Sequence, residues 1–166
     1  MRYFFIALLA LSFAACKENK PHSEVGIQLP PNVIENVELR YAPDKSGKEK
    51  VKKAVYIDTT SNEKVAERHF YESQKIYIEN LFKSGRKNGP SMAFRDSTGK
   101  PWSMHTYTND TLDGPYKVWH ENGFLRLEGQ YKMGKKIGNW RFFDNTGQVV
   151  KEINFDDPAN QNIPGL

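Results

Sequence analysis

Cysteine is almost absent from this chain: Cys16 is the only one in 166 residues. No intrachain disulfide can form, so any folded domain must hold together by packing alone. Long hydrophobic runs are also missing. The one continuous apolar stretch, residues 3–15, is too short to cross a bilayer core, which takes ~20 residues. Catalytic signatures are lacking too, with no Gly-x-Ser-x-Gly, His-Glu-x-x-His or Walker-type loop. The four histidines, His22, His69, His105 and His120, show no metal-site spacing, so neither a metal nor a cofactor is expected. Nor is there an excess of one charge. Lys and Arg number 24 against 20 Asp and Glu, a net +4, and the densest basic run, Lys45 to Lys53, reads as a solvated loop. Nucleic acid is not an expected partner.

What is present begins at the N-terminus. Met1-Arg2 supplies a basic start, residues 3–15 an apolar segment, and Ala14-Ala15 small residues before Cys16. This order is that of a secretory signal peptide over residues 1–15. Ending on the lone cysteine, it resembles a bacterial lipoprotein signal, with Phe13 where such signals more often carry an aliphatic residue. The resemblance implies cleavage before Cys16, its acylation (palmitate or a similar chain), and a protein anchored in the cell envelope, with the outer membrane of a Gram-negative bacterium as the expected site. A simple secreted protein is the rival, and it would carry a free thiol. Residues 16–31, with Pro21, Pro30 and Pro31, read as a flexible tether. Lys17-Glu18 leaves open which membrane face is reached.

Aromatic residues are abundant, with eight Tyr, ten Phe and three Trp, and they crowd into the second half of the chain. Together with scattered glycines they point to β structure. Val33, Val37, Leu39 and Tyr41 alternate as a strand would. Residues 42–53 form a charged loop, 54–57 a second short strand and 59–64 a turn. Residues 32–63 are thus a short β segment with a charged loop.

The rest repeats itself. Gly89, Gly114 and Gly138 are 25 and 24 residues apart; Gly99, Gly123 and Gly147 are spaced by 24, as are Tyr107, Tyr131 and Phe155. A decayed earlier unit, marked by Phe70 and Phe82, fits the same frame without the turn glycines. Within one unit, residues 116–120 form a strand, Glu121-Asn122-Gly123 a turn, and residues 124–132 the return strand. Leu125, Leu127, Gly129 and Tyr131 then share a face. Residues 133–138 link to the next hairpin. Each hairpin is too small to be stable alone and must lean on its neighbours.

Gly114-Pro115-Tyr116, Trp119, Glu121-Asn122-Gly123, Leu127-Glu128-Gly129 and Tyr131 resemble the MORN repeat family, in its bacterial variant of the YwqK-like antitoxin type. Gly138, Trp140, Phe143, Asn145-Thr146-Gly147 and Phe155 repeat the pattern. The likeness spans about residues 64–155, leaving 156–166 as a tail. It implies an all-β fold of tandem β-hairpins in an elongated meandering antiparallel sheet, acting as a scaffold or binding surface rather than an enzyme.

The expected function is therefore a membrane-tethered, non-catalytic surface for a protein partner. Tyr116, Trp119, Trp140 and Phe142 are the aromatic candidates, and strand alternation leaves open which of them face outward. Alternatives are an antitoxin-like or immunity inhibitor, a lipid- or glycan-binding module, and an envelope enzyme using His105 or His120. Basic residues in links 85–89 and 134–138 would add a modest cationic edge. Asp110, Asp113, Asp156 and Asp157 read as turn or terminal residues.

Overall fold

Each sequence unit folds as an antiparallel hairpin, and the hairpins join edge to edge. The computed structural model describes residues 26–160 and Ile163. The leader, Cys16, His22 and most of the tether lie outside the described residues. Eleven strands follow in chain order: β1 (Val33–Arg40), β2 (Val51–Asp58), β3 (Lys64–Phe70), β4 (Ile76–Lys83), β5 (Arg86–Phe94), β6 (Pro101–Thr108), β7 (Thr111–Leu112), β8 (Gly114–Trp119), β9 (Leu125–Lys132), β10 (Lys135–Phe143) and β11 (Val149–Asn154). They form one open sheet in which each strand pairs with the next, except that the short β7 pairs only with β6. The all-β meander expected from the repeats is the observed fold.

The units are the hairpins β1–β2, β3–β4, β5–β6, β8–β9 and β10–β11. The landmark residues of the repeat are cross-strand partners. Gly89 pairs with Tyr107 and Gly114 with Tyr131, while Phe155 N–H donates to Gly138 O at 2.9 Å. The decayed unit is a complete hairpin. Gln74, with φ 68°, takes the left-handed position that Gly99, Gly123 and Gly147 fill in later loops.

Two expectations about loops need correction. Val51–Lys53 belong to β2 rather than to a charged loop. Lys53 is held there by Glu38 at 2.9 Å and Glu67 at 3.2 Å. The links at 85–89 and 134–138 are shorter than expected, because Ser84-Gly85 and Met133-Gly134 suffice as turns. Both residues of each pair have positive φ, the twist that closes a two-residue hairpin.

A second set of contacts ties each unit to the next. The first residue after a unit's leading strand donates a side-chain hydrogen bond to the last carbonyl of the following unit's leading strand. Tyr41 reaches Phe70 O (2.7 Å), Tyr71 reaches Phe94 O (2.9 Å), Arg95 reaches Trp119 O (2.8 Å) and the His120 ring bonds Phe143 O (2.9 Å). The chemistry differs from unit to unit, but the donor occupies the same place.

Register fixes which residues share a face, since directly paired residues point the same way. On the back face, Ala54, Tyr56 and Ala66 form an apolar cluster with Leu29 and Leu81 against it. Farther along that face comes the pairing series Lys117, Glu128, Arg141, Glu152, in which charges alternate. The front face has the reverse order. Lys53, Glu67 and His69 lie at the N-terminal end, and Trp140, Ile153 and Phe155 cluster at the C-terminal end. The apolar surface thus changes sides midway along the sheet. Residues flanking the sheet pack on the two clusters, Leu29 on the first and Ile163 on the second. Ile27 is fixed by its N–H donating to the buried Glu79 carboxylate, which also pairs with Arg68 at 3.0 Å.

Trp140 is 1 % exposed and lies directly over Gly129. A Cβ at residue 129 would sit 2.3 Å from two atoms of the indole, so only glycine admits the ring. Gly129→Ala is expected to lower stability by about 1–3 kcal/mol through overpacking, read as a reduced urea midpoint at unchanged slope.

Acid should act on Glu67. Burial opposes its ionisation, but bonds from His69 (2.7 Å) and Lys53, with the charge of Lys64 beside it, hold its pKa down to about 2. A carboxyl lowered on folding stabilises the fold above its unfolded value, and that contribution is lost as pH falls from 4.5 through about 2. The stability advantage of the wild type over Glu67→Gln should shrink across this window in urea titrations. An advantage that stays constant would exclude the linkage.

Candidate functional site

Where the apolar surface crosses over, the front face carries an open groove of about 530 Å³ running across the strands from β4 to β10. Its floor is a single row of directly paired residues: Ile78, Ala93, Ser103, Val118, Leu127 and Phe142. The next row brings Ser91, His105 and Tyr116. Small residues on β5 and β6 leave room over the floor, and larger ones on β8 to β10 close one end.

The rim is made by β-bulges. In each hairpin from β3–β4 onward, the pairing skips one residue on the return strand: Tyr77, Trp102, Arg126 and Val150. An extra residue in one strand leaves the ladder and re-aims its side chain. Simple alternation would send the first three to the back face, yet all three line the front groove. They recur every second strand, so they stand roughly 9–10 Å apart. Tyr77 is 41 % exposed and Trp102 45 %, so their rings are open to solvent.

An aromatic chain runs from the groove into the C-terminal cluster. His105 meets Tyr116 with centroids 4.8 Å apart. Tyr116 stacks on Trp140 at 5.4 Å, and Trp140 meets Phe155 edge-on at 5.6 Å. Such pairs add about 0.5–1.5 kcal/mol each beyond the area they bury. Burial lowers the pKa of His105, and the charge of Lys87 adds to it, so the imidazole is neutral at neutral pH. Lys87 lies over the Tyr107 ring at 5.2 Å. Lys87 and Arg126 are the cations of the groove lining, which includes no carboxylate.

The four aromatic candidates separate. Tyr116 and Phe142 line the groove. Trp140 shares their face but is core, because Gly129 gives its ring a seat beneath the C-terminal segment. Trp119 pairs with Leu125 beyond the bulge and falls on the back face with Lys117. Gly89, Gly99, Gly114, Gly123, Gly138 and Gly147 all have positive φ and serve the backbone. His105 lies in the groove, whereas His120 sits in the β8–β9 loop bonded to Phe143. Lys87 and Lys136 lie on strands over aromatic rings instead of forming a cationic edge. Asp110 accepts from Lys87 N–H at 2.7 Å, Asp113 pairs with Lys132 at 3.2 Å, and Asp156 accepts from Gly138 N–H at 2.9 Å. Among the described residues, no group of three or more His, Cys, Asp or Glu is placed to hold a metal ion. Tyr77, Trp102 and Arg126 were not foreseen, although they sit 25 and 24 residues apart within the repeat frame.

No curated protein matches the chain. Among solved structures, it is similar to TarM of S. aureus, a mutant in complex with fondaparinux, alpha-GlcNAc-glycerol and UDP, and to a second structure titled as TarM. Both are 17% identical, with TM-scores of 0.46 and 0.45, and each match covers 75% of this chain and 21% of that one. The chain therefore spans about a fifth of those proteins. A family model described as MORN repeat variant matches residues 112–133 and 136–157, so two MORN-type repeats in sequence fall on the last two hairpins.

Proposed function

We propose that this protein is a non-catalytic binding protein of the bacterial cell envelope, tethered through an acylated Cys16 and presenting the front groove to a partner. The observation that carries the binding role is the open rim. Rings of this size normally find cover in a folded chain, and here Tyr77 and Trp102 stand exposed around an open groove on the front face. The basic start, the apolar segment of residues 3–15 and the stretch Phe13-Ala14-Ala15-Cys16 support the anchor. Residues 16–25 would span at most about 35 Å when extended, which keeps the sheet close to the membrane.

Two measurements test the reading. Cys16→Ser should move the protein from the membrane to the soluble fraction and remove the acyl mass. Membrane retention without an acyl group would reject the anchor. A photo-crosslinking phenylalanine analogue at Tyr77 should capture material in intact cells, while the same analogue at Lys117 on the back face should not. Equal capture from both faces, or none from Tyr77, would reject the groove as the binding surface.

A further inference from the structure

Resting on the binding role proposed for the same groove, we infer that its ligand is an acidic polysaccharide, laid across the strands with sugar rings against Tyr77 and Trp102 and its acidic groups at Arg126 and Lys87. Four observations carry the assignment. The rim rings are exposed, planar and mounted on bulges at a regular step of roughly 9–10 Å, so they offer successive stacking platforms along one line. Arg126 continues that line as the third bulge residue, placing a cation where the first two place rings. The lining holds two cations and no carboxylate, which favours an anion over a neutral chain. The lining is only partly apolar. Ser103 in the floor, with Ser91 and the neutral His105 in the next row, suits a ligand carrying hydroxyl groups better than an acyl chain.

The shape agrees. The groove is shallow and crosses the sheet from β4 to β10, as a site for a polymer segment does, rather than closing around a small molecule. A peptide lying across the strands would find no free backbone ladder there, since each floor strand is already paired on both sides.

The test uses the purified protein, following intrinsic tryptophan fluorescence and calorimetry with two acidic probes, a uronate hexasaccharide and a phosphodiester-linked oligosaccharide. Cellohexaose is the neutral comparison and phosphatidylglycerol vesicles the lipid one. At least one acidic probe should bind, with affinity falling as salt rises and at least about tenfold tighter than cellohexaose. Trp102→Ala and Arg126→Gln should each weaken that binding about tenfold or more with an unchanged circular dichroism spectrum, and Lys117→Gln on the back face should leave it intact. Failure of both acidic probes, equal affinity for cellohexaose, or binding to the vesicles alone would overturn the assignment. So would binding that survives both groove variants. If the probes fail while Tyr77 still crosslinks in cells, the glycan is rejected and the binding role of the groove stands.

Discussion

Backbone pairing between successive hairpins is the constraint on which everything else in this molecule depends. A sheet whose strands all pair in one open order offers little interior, and a lone two-stranded hairpin is marginal in water. Each unit therefore gains its stability from its neighbours. The ladder and cross-strand packing join the units, and the side-chain bonds from Tyr41, Tyr71, Arg95 and His120 to the next unit's carbonyl close each loop onto its successor. Such an array is quasi-one-dimensional, with stability accumulating unit by unit.

That economy leaves two apolar clusters on opposite faces, and residues flanking the sheet pack on them. Leu29 serves the back cluster, and Ile163 the front one. The buried Glu79 is tolerated because Arg68 pairs with it and the Ile27 N–H donates to it. The middle of the front face, between these covered regions, is where the groove opens. Its exposure follows from how the sheet distributes apolar surface, and it needs no separate domain.

The rim of the groove comes from irregularity rather than from regular structure. The paired residues of the floor are what a meander provides anyway. From β3–β4 onward the bulges break the alternation once in each hairpin and raise Tyr77, Trp102 and Arg126 to the rim. Because the bulge recurs with the repeat, the rim is periodic, which suits an extended partner better than a compact one.

Much of this was legible in the sequence. The 24-residue period, the turn positions of Gly99, Gly123 and Gly147, and the pairing of Gly114 with Tyr131 are consequences of local chemistry: positive φ at a turn and alternation along a strand. The β1–β2 and β3–β4 hairpins were harder to see as full units, because Gln74 stands where glycine marks later loops and Lys53 looks solvated until Glu38 and Glu67 surround it. The loop-to-carbonyl bonds escaped alignment because Tyr, Arg and His share a donor role without sharing an identity. Sequence alone determined the hairpins, their order and their spacing, since each depends on residues close together in the chain. Tertiary structure decided which rings face outward. One bulge shifts a strand's parity, and whether Trp140 is surface or core turns on the absent side chain of Gly129 on the neighbouring strand.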